Sequence, residues 1–162
     1  MKRNLFCFLT ICLAVALLGS CNKNITIATP IGPTYSISFK VDGVQKNMFP
    51  FTAEKVGIAT GFKLIIGGAV GNEIFDATIT NPQIGTFNIS TPATLSMDYI
   101  ADNTDKTNHS FFVANAGQLT ITSLTPTSVS GTFQFSGSSA QGTPVVNKTI
   151  TEGTFNCAVK QQ

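Results

Sequence analysis

The sequence predicts an all-β protein: a single antiparallel β-sandwich, with a closed β-barrel around an interior cavity as the alternative. Three observations predict this. From Gly117 to Val159 the chain alternates apolar and polar residues, with Val129, Gly131, Phe133 and Phe135 on one side and Ser130, Thr132, Gln134 and Ser136 on the other. That is the period of a strand with one dry face and one wet face. The composition favours strands and turns: 13 Phe, 2 Tyr and no Trp, in a chain rich in Thr, Ser, Gly and Val. Turn signals cut the remainder into short runs, about ten strands spaced by roughly 8–12 residues. A length of 162 residues suits one domain.

The first 34 residues stand apart from this pattern. Met1-Lys2-Arg3 is a cationic start, Leu5 to Leu18 is apolar, and Gly19 and Ser20 are small. This is the layout of a secretory signal helix over residues 1–20. At 1.5 Å per residue the apolar run spans about 21 Å, short of the ~30 Å needed to cross a bilayer. Residues 21–34 contain Pro30, Gly32 and Pro33 and no periodicity, so they read as a flexible tether. The β domain then occupies residues 35–162.

Within the domain, Tyr35, Ile37, Phe39 and Val41 alternate as a strand, and Asp42-Gly43 leads into a second from Val44 to Phe51. Asp-Gly between two such runs marks a hairpin, because both central residues of a type I′ turn need positive φ. Further strands are expected over 62–68, 72–80, 85–89, 95–101 and 109–114, with turns at the Gly-rich passage Gly67–Gly71 and at Asn81-Pro82. Leu119 and Ile121, then Val129 to Phe135, then Phe155, Cys157 and Val159 form a terminal meander. The triplet Gly-Thr-Phe recurs at Gly85, Gly131 and Gly153. It reads as a strand start: Gly for the turn, Thr on the wet face, Phe in the core.

Composition excludes some functions. Of 10 basic residues, Lys2 and Arg3 fall in the signal, leaving 8 against 8 acidic residues and no arginine in the domain. Nucleic-acid binding wants a basic face, so it is not expected. A search for chemistry returns little. His109 is the single histidine and opens a strand beside a polar loop, with no Gly-x-Ser-x-Gly turn for a nucleophile. Cys7 and Cys12 leave with the signal, and Cys157 alternates with core residues, which suits an inert buried thiol. Gly67–Gly71 lies between two strands, where a phosphate cradle would need a following helix. Asp98, Asp102, Asn103, Asp105 and Asn108 gather oxygens that calcium would accept. They lack EF-hand spacing, so a solvated turn is expected and no metal is assigned, with calcium left open. Glu54, Glu73, Asp76 and Glu152 are scattered, and a hydrolase would need two of them facing each other across a cleft. No catalytic residues and no cofactors are assigned.

Leu18-Gly19-Ser20-Cys21 resembles the lipobox of bacterial lipoproteins. The resemblance implies cleavage before Cys21, lipid on the Cys21 sulfur and an acylated amine. No Asp follows Cys21, which for such proteins implies the outer membrane. The absence of an acidic cluster after it implies the periplasmic face. The body resembles Bacteroidota lipoprotein domains of unassigned function, on Phe39-Lys40-Val41-Asp42-Gly43, Gly117–Thr122, Val129–Phe135 and Ile150–Phe155. That resemblance implies a small β-sandwich and transfers no catalytic residue. The expected function is a non-enzymatic envelope module, held to the membrane through its lipid, that binds a protein or glycan. A glycan hydrolase using the scattered carboxylates is one alternative and a structural or assembly protein is another.

Overall fold

A computed structural model describes residues 34–90, 94–105, 107 and 109–160. The signal, Cys21 and all of the tether but Thr34 lie outside the described residues, as does Asn108. Ten strands follow in order: β1 (Ser36–Val41), β2 (Val44–Pro50), β3 (Glu54–Ile58), β4 (Gly61–Val70), β5 (Glu73–Thr80), β6 (Gly85–Asn88), β7 (Leu95–Ile100), β8 (Phe111–Leu124), β9 (Ser128–Ser139) and β10 (Asn147–Ala158).

The all-β expectation holds, but the sandwich does not. Eight strands close into an antiparallel barrel in the order β2-β1-β10-β9-β8-β7-β5-β4 and back to β2. One seam joins the first strand to the last, with Ser36 opposite Asn156 and Val41 opposite Ile150. The other is short, pairing Phe49 with Ala69 and Pro50 with Gly68. β3 continues the sheet beside β4, and β6 pairs with β8. A sandwich and a barrel share the same inward–outward alternation. What separates them is long-range pairing, which alternation does not encode. Closure satisfies the backbone edges that an open sheet would leave bare.

The alternative reading, a closed barrel, is right about closure, and among the described residues large side chains pack the interior. Phe39, Phe75 and Phe133 meet on the inside, with ring centroids 4.3 Å apart for Phe75–Phe133 and 5.6 Å for the other two pairs. Ile37, Leu64, Ile66, Ile79, Leu119, Ile121, Val129 and Ile150 complete a core with no exposed surface. An eight-stranded barrel is just wide enough for side chains to fill.

Local predictions fare unevenly. Asp42 (φ 48°) and Gly43 (φ 83°) make the expected turn. The Gly-Thr-Phe reading needs correcting at two of three places. Gly131 and Gly153 lie inside strands, opposite Phe155 and Phe133 of the neighbouring strand. A Cβ at Gly131 would come within 2.6 Å of the Phe155 ring, and one at Gly153 within 2.7 Å of the Phe133 ring. Each glycine leaves room for an aromatic ring lying across it. The strands expected at 109–114 and from 117 onward are one strand, β8, with a register shift between Ala114 and Ala116. β3 has no counterpart in the sequence reading, since Glu54–Ile58 is mostly exposed and Gly57 interrupts its apolar residues. Gly67 and Gly68 are strand residues, and the turn lies at Gly71-Asn72.

The two ends of the barrel differ. The turns at 42–43 and 71–72 and the loops 101–110 and 140–146 gather at one end: Asn103 N–H donates to the Asn72 carbonyl, and the His109 ring lies against Gly142. The start of β1 and the finish of β10 lie side by side at the other end, where Asn156 Nδ2 donates to the Thr34 carbonyl.

Candidate functional site

With the interior filled, recognition falls to the outer wall, whose two sides are chemically unlike. Across β8, β9 and β10 the outward residues are Gln118, Thr120, Thr132, Gln134 and Thr154, a polar wall with a groove of about 420 Å³. Hydroxyls on this side pair with one another, as Ser38 with Thr154 and Thr86 with Thr120.

The opposite wall is apolar. Strand register aligns Phe49, Ala69, Ile74, Ile100 and Phe111 in one row across five strands. Phe49 is 79% exposed, Phe51 52% and Val113 41%. Phe49 and Phe51 reach the surface because Met48 points inward and alternation sends its neighbours out.

Beside that row runs a second: Gly67, Asp76, Asp98 and Val113. Asp76 and Asp98 are directly opposed on neighbouring strands, an arrangement that costs energy when both carry charge. Phe51 N–H donates to the Gly67 carbonyl at 2.7 Å and brings its ring over the bare backbone there. A Cβ on Gly67 would be 3.3 Å from that ring and 3.4 Å from Asp76 Oδ1. Beneath this cover Asp76 Oδ1 is buried without a hydrogen-bond partner. Burial raises the Asp76 carboxyl above its ordinary value, against a smaller opposing effect of the Ala77 N–H. Burial also raises Asp98, helped by the charge of Asp76. Asp76 also lines a depression of about 310 Å³ with Phe51, Thr52, Glu54, Ile65 and Ile74.

The other acids are satisfied. Glu73 Oε1 accepts from Lys46 Nζ at 2.6 Å and Glu73 Oε2 from the Tyr99 hydroxyl at 2.7 Å, which plugs the barrel at its hairpin end. Burial, then the bond to Glu73, holds the Tyr99 phenol protonated well above its usual range. Asp42 pairs with Lys148 at 2.7 Å, Glu152 with Lys40 at 2.8 Å and Glu54 with Lys160 at 3.4 Å. Of the scattered carboxylates weighed for a hydrolase, Glu54 and Asp76 share a depression, while Glu73 and Glu152 sit elsewhere with their lysines.

The acidic loop supplies most of the donors to its own carboxylates. Asp102 Oδ1 accepts from the Thr104 amide and hydroxyl, and Asp105 from Thr107 and the Ser110 amide. These donors hold both carboxyls below their usual range. Asp98 lies away from them on β7. No cluster able to hold a metal occurs among the described residues. His109 is exposed. Cys157 has no exposed surface, and burial pushes its thiol up to about 12. Sequence reasoning missed Phe49, Phe51 and the Asp76–Asp98 pairing. The signal for the first two was present: phenylalanines two apart, on the face opposite Met48.

No curated protein matches this chain, and no solved structure matches it. A family model does match over residues 36–157, a span running from the first residue of β1 almost to the end of β10, and the chain therefore belongs to the family described as Domain of unknown function (DUF6252).

Proposed function

We propose that this protein is a lipid-anchored component of the bacterial cell envelope, tethered through Cys21 and facing the periplasm from the outer membrane. Its barrel serves as a non-enzymatic module that binds a protein partner on the outer wall of β2, β4, β5, β7 and β8. The exposure of Phe49, Phe51 and Val113 on one wall carries this reading. Apolar surface grouped in this way marks a contact site, and aromatic rings pack the interior behind it. The sequence from Leu18 to Cys21 supports the anchor.

Photo-crosslinking in intact cells tests the wall. A photoreactive residue at position 49 or 51 should trap a discrete protein adduct, while the same residue at Thr132 on the polar wall should not. Equal labelling from both walls, or none from 49 and 51, defeats the reading. Palmitate labelling tests the anchor: label should enter the wild-type protein and be lost in Cys21→Ala.

A further inference from the structure

We propose that the apolar wall receives an arginine side chain of its partner, with the guanidinium seated between Asp76 and Asp98 and the carbon stem lying against Phe51 and Ile74. This rests on the reading of that wall as the contact surface and deepens it by naming the chemistry of the occupant.

Charge complementarity is the argument. Among the described residues, Asp42, Glu54, Glu73 and Glu152 each have a lysine within ion-pair distance, and Asp76 and Asp98 have none. Asp102 and Asp105 are occupied by donors of their own loop. Two carboxyls are thus left facing each other across a strand pair, framed by Phe51, Ile74, Ile100 and Val113, with one oxygen buried and unpaired. A buried acceptor without a donor is unfavourable, and a pair of opposed anions adds repulsion. A donor bearing positive charge, set against the pair from outside, relieves the repulsion.

Geometry selects arginine over lysine. Opposed residues on neighbouring strands hold their Cβ atoms about 4.5–5.5 Å apart, a separation a planar guanidinium can bridge with a hydrogen bond to each carboxyl. An ammonium is a compact point charge and bridges such a gap less well. The ring of Phe51 over Gly67 offers a face on which a guanidinium can stack. The domain itself contains no arginine, since Arg3 is the single one in the sequence, so the wall of a second copy does not supply the group. Glu54, across the depression from Asp76, adds to the negative field and is partly offset by Lys160. Lys63 stands on the same outer face of β4, four residues before Gly67.

The test uses the full-length protein, labelled for amide NMR, and two small probes of matched shape: n-butylguanidinium, which is charged, and n-butylurea, which is neutral. The guanidinium should give saturable shifts at the Gly67, Asp76 and Asp98 amides, about tenfold tighter than the urea, as a charge-assisted pair requires. The preference should vanish in the Asp76→Asn/Asp98→Asn variant, which keeps the shape of both side chains. A guanidinium preference that survives in that variant overturns the proposal. Equal response to the two probes also overturns it, yet leaves an apolar contact wall standing. Silence of the wall toward both probes defeats the proposal and the contact reading together.

Discussion

At the scale of single residues, two features set the physics of this protein: glycines that yield space to aromatic rings, and a carboxyl pair held in apolar surroundings. The first makes a sharp prediction. Gly131→Ala would drive a methyl into the Phe155 ring and the Thr120 carbonyl. It should destabilise the domain by about 1–3 kcal/mol in chemical denaturation, the range for overpacked cores. Glu152 predicts the reverse. It adopts φ 53° at the register shift between Ile150 and Gly153, a conformation that disfavours a side chain. Glu152→Gly should gain about 0.5–1 kcal/mol, because its ion pair with Lys40 is exposed and weak. For Asp76 the folded state favours the protonated form, so its contribution is unfavourable once pH rises above the raised value and disappears below the ordinary 3.8. Asp76→Asn should therefore stabilise the protein near neutral pH, by about 1 kcal/mol after allowing for partial solvation, and this gain should fade as the pH is lowered through that range. Thermal melts at a series of pH values measure it directly.

At the scale of elements, the barrel is unevenly fastened. β8 and β9 pair from Phe112–Ser139 to Leu124–Val129, whereas β2 meets β4 at two positions only. One of those is Pro50, which has no N–H to give. Gly68 lets the strands approach, since a Cβ there would be 2.8 Å from the Phe49 carbonyl and 3.1 Å from Ile37 Cδ1. Amides of β2 and of the neighbouring part of β4 should exchange with deuterium well before those of β9, as local opening follows the least-paired segment. Gly68→Val should widen that difference and lower stability by about 2 kcal/mol. These elements also show what a sequence can and cannot disclose. The faces of β1, β9 and β10 were legible because alternation is a local property of the chain. β3 was illegible because its residues are mostly exposed, include Gly57, and owe their strand form to β4. Gly67-Gly68 looked like a turn because two glycines together usually mark one. Their place in a seam depends on a partner strand nearly twenty residues earlier.

At the scale of the whole molecule, alternation settled the core but left the architecture open between two stacked sheets and a closed cylinder. The distinction rests on β1 finding β10 and β2 finding β4, contacts made across the chain. The candidate site was hidden for the same reason. Asp76 and Asp98 are far apart in sequence, and nothing near either one announces the other. The residues that stand out in the sequence, His109, the acidic loop and Cys157, prove to be an exposed ring, a self-capped turn and a buried thiol. Cys157 should accordingly resist thiol reagents in the native state and react only on unfolding, which a timed labelling assay would register.

The chain enters and leaves the cylinder through the same rim. A purification handle or fluorescent fusion joined after β10 would therefore emerge beside Thr34. The loop 140–146 is at the far rim and projects the opposite way. An epitope inserted there is held away from the rim that carries both Thr34 and the finish of β10.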